Sequence, residues 1–150
     1  MQSKIKRDYL KYWRVVRYYV KAKYKLSISN LEMLLFLYSE KYFGKRDFDE
    51  YAEIMSWDPK RFQGLVTQGW IVKFRDAKPQ YKQKAVYQLS HRARSVISSI
   101  YEQLEGSRDM SIDVRRNPVG APDVRYMDKV YRNQIKKVNE EYKRLRKGED

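Results

Sequence analysis

The longest amphipathic patterns lie at the two ends of the chain. In each, apolar side chains recur at spacings of three and four, which places them on one stripe of a helix. Residues 3–25 carry Ile5, Tyr9, Tyr12, Val16 and Tyr19 on this stripe. Residues 123–147 carry Val124, Met127, Tyr131, Ile135, Val138, Tyr142 and Leu145. The sequence therefore predicts a long N-terminal and a long C-terminal helix.

Capping signals and glycines divide the middle of the chain, residues 26–106, into shorter elements. Ser29, followed three residues later by Glu32, has the capping-box pattern that starts a helix. The apolar residues that follow continue towards Gly44, a typical helix stop. The capping pattern recurs at Asp47. The sequence therefore predicts two successive helices, the second of them short.

A fourth helix and a hairpin follow. Asp58-Pro59 combines an N-cap with proline at the first helical position, and the predicted helix runs to about Gln68. The segments Trp70–Arg75 and Ala85–Leu89 are rich in β-branched and aromatic residues, which favours strands. Because the residues between them are polar and rich in lysine, we expect an extended hairpin loop.

The last part of the middle region leads into the C-terminal helix. Ser90 caps a predicted fifth helix, and Gly106 ends it. Residues 107–122 hold two prolines and few large apolar groups, so we interpret them as a linker. The expected fold is mainly α with a small β-hairpin, in a single domain covering residues 1–150.

The charge of the chain indicates the kind of partner that this helical domain binds. Its 150 residues include 33 Lys and Arg against 19 Asp and Glu, which gives a net charge of +14 and a pI near 9.8. Such an excess favours a polyanion, namely DNA, RNA or an anionic membrane surface. A protein that is merely soluble and basic is the alternative. Since no apolar run approaches the ~18 residues of a membrane span, we expect no membrane partner.

Several classes of chemistry lack the residues that they require. The chain has no cysteine, which excludes disulfides, thiolate catalysis and zinc fingers. Its one histidine, His91, stands beside Arg92 and Arg94, a poor setting for a catalytic triad. No phosphate-binding glycine loop is present, and the N-terminus lacks the apolar stretch of a signal peptide. We therefore expect no enzyme, no cofactor and no metal, in a cytoplasmic, nucleoid-associated protein.

The order of the middle elements is that of a winged helix-turn-helix. A short helix, a tight turn and a second helix form the helix-turn-helix, and the hairpin directly after it forms the wing. In such domains the second helix of the motif enters the major groove, and the wing reaches a neighbouring groove or the backbone. The sequence therefore predicts binding to double-stranded DNA.

Two short motifs resemble the winged-helix regulators of the MarR family. The segment Leu65–Val72 is similar to that family's exit from the recognition helix, with a leucine, polar residues, a glycine and two apolar residues. The segment Leu89–Arg94 is similar to its entry into the next helix. The resemblance implies a transcriptional regulator that forms a homodimer, with helices 3–25 and 123–147 as the dimer interface.

The chain departs from the family pattern at two places. Residues 78–84 at the wing tip lack the Asp–Arg pair that the family usually carries, and Gly64 interrupts the predicted recognition helix. These departures leave open an alternative, a winged-helix protein-interaction or structural module that contacts a polymerase or an assembly without specific DNA readout. RNA binding is a third hypothesis, which rests on charge and tyrosine content alone.

The candidate DNA-binding residues follow from these placements. On the recognition helix they are Lys60, Arg61, Gln63, Thr67 and Gln68. Arginine can pair bidentately with guanine, and glutamine with adenine. On the wing the candidates are Lys73, Arg75, Lys78, Tyr81, Lys82 and Lys84. An ordinary solvated surface is the alternative interpretation of both sets.

Overall fold

The computed structural model describes residues 8–122 and 124–148. Within them the helices are α1 (Tyr9–Tyr24), α2 (Ile28–Leu37), α3 (Lys45–Met55), α4 (Arg61–Thr67), α5 (His91–Glu105) and α6 (Tyr126–Arg146). Strands β1 (Ile71–Arg75) and β2 (Val86–Leu89) pair antiparallel, and two short 3-10 turns cover Pro79–Tyr81 and Pro118–Gly120. The expectation of a mainly helical fold with a small β-hairpin is confirmed. The first residues of the predicted N-terminal helix, 3–7, lie outside the described residues.

The caps of α2 and α3 differ from the predicted ones. Helix α2 begins one residue before Ser29, which therefore lies in its first turn, and it ends at Leu37, well before Gly44. Helix α3 begins at Lys45, and the Asp47 carboxylate accepts a hydrogen bond of 2.7 Å from the Gly44 backbone N–H. Asp47 thus caps α3 by reaching back from its third position, because an aspartate side chain is long enough to bond the N-cap amide.

Helix α4 begins later than predicted. Asp58 closes a separate turn, in which its carboxylate accepts from the Lys60 N–H at 3.0 Å and its carbonyl accepts from the Arg61 N–H at 3.1 Å. As a result Lys60 precedes the helix, which starts at Arg61 and ends at Thr67. Gly69 follows with a φ of +83°, in the left-handed region that glycine adopts at little cost. The end of α4 ahead of Gly69 was therefore predicted correctly.

The hairpin is irregular on β1. Lys73 pairs with Tyr87, but Arg75 pairs with the neighbouring residue of β2, so Phe74 is an extra residue in a β-bulge. Phe43, between α2 and α3, adds an isolated bridge to Tyr87 through two backbone hydrogen bonds of 3.1 and 2.8 Å. This bridge ties the chain ahead of α3 to the edge of the hairpin.

Residues 28–97 form one compact unit. Its apolar core includes Leu31, Leu34, Leu37, Phe43, Phe48, Phe62, Leu65, Trp70, Ile71, Leu89 and Ile97. The Phe62 ring of α4 lies 5.0 Å from the Phe48 ring of α3 and 4.9 Å from the Tyr87 ring of β2, both in edge-to-face geometry. These contacts hold the inner face of α4 against α3 and the hairpin, and they leave its outer face uncovered.

The other compact unit combines residues 1–27 with residues 98–150. Its helices α1 and α6 pack against each other: the Tyr12 hydroxyl donates to Glu141, and the Tyr18 hydroxyl donates to Asp128. The rings of Tyr18 and Tyr131 stack with their centroids 3.8 Å apart. Part of the apolar stripes predicted to form a dimer interface is therefore buried within a single chain, namely Tyr12, Val16, Tyr19, Ile135, Val138 and Tyr142.

Residues 107–122, which we predicted as a linker, are packed within this unit. Asn117 is fully buried, and its amide donates to the Tyr19 carbonyl of α1 at 2.9 Å. Asn139 of α6 holds the backbone of Met110 through hydrogen bonds of 2.9 and 2.8 Å. Two asparagines thus satisfy backbone groups of α1 and of the segment, and Met110 contributes a buried side chain.

The turn Pro118–Gly120 fixes the path of this segment. A β-carbon at Gly120 would lie 1.8 Å from the carbonyl oxygen of Ile112, much closer than van der Waals contact allows. Glycine is therefore required at this position by the close approach of two backbone stretches.

Candidate nucleic-acid interface

The outer face of α4 is a small polar surface. Phe62 and Leu65 point into the core, with exposed fractions of 4% and 0%. Gln63 and Thr67 lie on the opposite side, one helical turn apart, and the Gln63 amide donates to the Thr67 hydroxyl at 3.4 Å. The two side chains therefore present one linked polar group to the outside.

Gly64 lies at one edge of this outer face. At 3.6 residues per turn it is about 60° around the helix from Thr67 and about 100° from both Gln63 and the inward-pointing Leu65, and it is partly buried. A β-carbon built at Gly64 would meet no atom within 4 Å. Packing inside the protein therefore does not require glycine here, although a mid-helix glycine costs about 1 kcal/mol relative to alanine. The helix backbone at Gly64 is therefore not covered by a side chain of its own.

The other residues predicted on this helix flank the outer face. The Arg61 guanidinium donates to the side-chain oxygen of Asn30 in α2 at 3.1 Å. Gln68 is the C-cap of α4, and its backbone N–H donates to the Gly64 carbonyl at 2.9 Å. Lys60 is exposed just ahead of the helix. The structure thus places all five predicted residues on α4 or at its two caps, and Arg61 is hydrogen-bonded to a neighbouring helix.

The tip of the hairpin is ordered, whereas the sequence predicted an extended loop. Lys78 and Gln83 exchange two backbone hydrogen bonds of 2.8 and 3.0 Å across the base of the tip. The 3-10 turn between them projects Tyr81, which is 76% exposed. Lys82 follows in a left-handed conformation with a φ of +56°. Three of the predicted residues, Lys78, Tyr81 and Lys82, therefore stand on a defined, solvent-exposed tip.

The cations nearer the strands have partners inside the hairpin. The Lys73 ammonium lies 3.4 Å from the Asp76 carboxylate, and the Arg75 guanidinium donates to the Lys84 carbonyl at 3.5 Å. Both cationic side chains are exposed, so these contacts are screened by solvent. Lys73 and Arg75 remain accessible to an anion, but they are less available than the residues at the tip.

A cleft of about 550 Å³ lies between the start of α3 and the hairpin. Its cationic residues are Lys45 and Arg46 from α3 and Arg75 and Lys84 from the hairpin. The two acids that line it, Asp47 and Asp49, are engaged by the α3 cap and by an ion pair with Lys45. Within the described part of the chain, the charged groups of Arg46 and Lys84 form no ion pair. The cleft therefore has a positive balance.

Sequence analysis missed Lys45 and Arg46 as members of this surface. The signal was present, since a cation in the first turn of a helix is disfavoured by the positive end of the helix dipole. Lys45 has a partner on the same helix in Asp49, but the stability of α3 does not account for Arg46. Their position beside the hairpin depends on the Phe43–Tyr87 bridge, which the local pattern does not encode.

Among residues 8–122 and 124–148, no group of three or more His, Asp and Glu side chains is arranged to hold a metal ion. His91 is exposed at the start of α5, where the Ser90 hydroxyl caps the helix by accepting from the Ala93 N–H at 3.1 Å. The predicted cap at Ser90 is thus confirmed.

The helices of the described residues include none that is both long enough and apolar enough to cross a membrane. Protein-family models, curated protein sequences and solved structures were compared with the chain, and none of them matches it.

Proposed function

We propose that the chain binds double-stranded DNA through a winged helix-turn-helix formed by residues 28–97. The order of elements supports this: α2, the bridge at Phe43, α3, α4, the β1–β2 hairpin and the start of α5. In this arrangement α3 and α4 are the helix-turn-helix and the hairpin is the wing. The MarR-like resemblance of the sequence agrees with the same assignment.

The observation that carries the proposal is the outer face of α4. Gly64 is placed where nothing in the protein needs it, in a helix that a glycine weakens. Close approach of an outside partner to the helix backbone accounts for both facts. On this proposal α4 lies in the major groove, and the linked side chains of Gln63 and Thr67 face base edges.

The cations around α4 supply the contacts with the DNA backbone. Lys78 and Lys82 at the hairpin tip reach the phosphates beside the groove, and Arg46 and Lys84 take a phosphate into the cleft. Such contacts position the protein but carry no sequence information. Sequence preference on this proposal comes from α4 alone.

We further propose that the protein acts as a transcriptional regulator and binds as a homodimer. Because α1 and α6 bury their stripes against each other, a dimer would have to use the apolar side chains that they leave outside. Leu10, Tyr126 and Met127 are such residues, with exposed fractions of 89%, 77% and 51%. A dimer would present two α4 helices about 34–36 Å apart, or a multiple of that spacing.

The first test is a salt series of duplex binding, measured by fluorescence anisotropy with a mixed-sequence duplex of about 30 base pairs. We expect the double variant Lys78→Ala/Lys82→Ala to lower the slope of log K against log salt by about 2, since each lost phosphate contact removes about 0.9. The variant Lys136→Ala/Lys143→Ala on α6 removes the same charge elsewhere and should leave the slope nearly unchanged. Absence of duplex binding at about 50 mM salt, where electrostatic attraction is strong, contradicts the proposal.

One observation favours a second candidate function, a module that binds a protein partner. Ile54 and Met55 at the end of α3 are 76% and 45% exposed, and the outer side of α3 also carries Asp49, Glu50 and Glu53. Exposed apolar residues rimmed by charge are typical of protein contacts. On this alternative Ile54→Ala abolishes a nuclease-resistant complex, for instance with a polymerase, and duplex binding is weak.

A further inference from the structure

The outer face of α1 carries positive charge only. Arg14, Arg17 and Lys21 follow one another at spacings of three and four, and Lys25 is the C-cap one turn later. We call these four residues the basic ridge. Arg14, Lys21 and Lys25 are exposed, and Arg17 is partly buried. Since α1 rises about 1.5 Å per residue, the ridge extends for roughly 16 Å along the helix.

The basic ridge has no counter-charge on its own helix. Asp8, the one acidic residue among the first 27, is used as the N-cap, where its carboxylate accepts from the Lys11 N–H. None of the four ridge residues forms an ion pair with any of residues 8–122 or 124–148. Like charges at these spacings destabilise a helix. The helix dipole accounts for Lys21 in the last turn, but not for Arg14 and Arg17 in the middle.

Helix α6, which belongs to the same compact unit, mixes acidic and basic residues on its surface. Its charges are mixed: Arg125 lies 3.7 Å from Asp128, and Glu140 and Glu141 follow two of its lysines. Such a surface stays hydrated without repulsion of a single sign. Hydration alone therefore does not require an uninterrupted row of positive charge on α1.

We propose that the basic ridge binds the phosphate backbone of duplex DNA as a second surface, separate from residues 28–97. Residues 1–27 hold nine Lys and Arg against one acidic residue, whereas residues 28–97 hold twelve against eight. The larger net charge thus belongs to the segment of α1. A duplex offers one negative charge for about every 1.7 Å of its axis, dense enough to engage each ridge residue.

A membrane surface is the other polyanion to consider, and the packing of α1 argues against it. A helix that lies in a lipid interface inserts an apolar face into the bilayer. The apolar face of α1 is occupied inside the protein, where Val16, Tyr19 and Val20 are at most 1% exposed. Apart from Tyr9 and Leu10 in its first turn, the exposed residues of α1 are cationic, which suits a phosphate backbone.

The test compares two variants of the full chain that lose the same three charges at different places. Arg14→Gln/Arg17→Gln/Lys21→Gln removes the ridge, and Lys129→Gln/Lys136→Gln/Arg144→Gln removes three exposed cations of α6. We expect the ridge variant to lower the salt slope of duplex binding by about 2.7 and the affinity at about 100 mM salt by about tenfold or more. The α6 variant should keep the wild-type slope.

Two control measurements exclude misfolding and a loss that is unrelated to charge. Circular dichroism melting should show the ridge variant folded and at least as stable as the wild type, because repulsion along α1 is relieved. The charge-conserving variant Arg14→Lys/Arg17→Lys should retain the wild-type slope. The inference is overturned if the ridge variant binds like the wild type, or if both triple variants lose slope equally. It is also overturned if the ridge variant loses only the binding to phosphatidylserine vesicles.

The outcome is independent of the proposed function of residues 28–97. The variant Lys78→Ala/Lys82→Ala reports on the hairpin, and the triple variant reports on the ridge. Loss of slope in the hairpin variant alone rejects the ridge and keeps the winged helix. Loss in the ridge variant alone keeps the ridge and rejects the hairpin as a DNA contact.

Discussion

Replacing Gly64 with alanine should change stability and DNA binding in opposite directions. Beyond its chain neighbours and the backbone of its own helix, the new methyl group meets no atom within 4 Å, so it adds no internal clash. Alanine in a helix interior is favoured over glycine by about 1 kcal/mol. For a chain of this size, that gain corresponds to a rise in melting temperature of about 3 °C.

The same methyl group stands at the edge of the surface that we place in the major groove. If base edges or sugars approach the helix backbone there, the methyl group forces α4 outwards. Overpacking by one such group costs about 1–3 kcal/mol, which is a loss of affinity of about 5- to 150-fold. Because the charge is unchanged, the salt slope should stay close to that of the wild type.

Thermal melting and anisotropy titration of the same preparation measure both effects. Ser98→Ala is a suitable control, because Ser98 is an exposed position in α5 and the change raises helix propensity away from α4. It should leave duplex affinity as it is. A Gly64→Ala protein that is more stable and binds duplex with undiminished affinity would refute the assignment of the outer face of α4 to the groove. If the Gly64→Ala protein were less stable than the wild type, the space around Gly64 would not be open as the structure has it.

Two further substitutions test the other compact unit. Gly120→Ala should lower the free energy of unfolding, measured in urea, by about 3 kcal/mol or more, because the new β-carbon and the Ile112 carbonyl oxygen cannot both keep their positions. An unfolding midpoint equal to that of the wild type would contradict this close approach. Burial, followed by the hydrogen bond to Asp128, raises the pKa of Tyr18 to about 12. The pKa of tyrosine in the unfolded chain is about 10. The contribution of Tyr18 to the free energy of unfolding should therefore be fully present below that pH and fall as the pH rises towards 12. Tyr18→Phe should flatten this fall, whereas Tyr9→Phe should not.

The elements whose signals are local were predictable from the sequence. The caps at Ser90 and Gly69 depend on neighbours within one or two turns, and the structure has them as predicted. The stripe on α6 is buried at Ile135, Val138 and Tyr142, but the helix begins at Tyr126 rather than at residue 123, and Met127 is exposed. The start of α3 was misjudged because Asp47 can cap a helix from the N-cap or from the third position. Both arrangements leave a similar sequence pattern, and only the backbone distinguishes them.

Partners that are distant in sequence were not predictable in this way. The stripes of α1 and α6 are recognisable as apolar faces, but periodicity does not say whether they cover each other or a second chain. The hydrogen bond from Asn117 to the Tyr19 carbonyl joins positions 98 residues apart. Without it the polar residues 107–122 have the composition of a linker. The cleft beside Arg46 was missed for the same reason, since α3 and the hairpin are separate in the chain.

The interrupted course of the chain through its two compact units has a consequence for biosynthesis. Residues 28–97 are continuous, so they can fold as soon as they have left the ribosome, whereas α1 must wait for α6 before its apolar stripe is covered. Domains generally fold as units, and an exposed apolar helix is prone to aggregate while it waits. We expect the unpaired α1 to be the segment that a chaperone holds during synthesis. The net positive charge of its outer face would then also keep nascent chains apart.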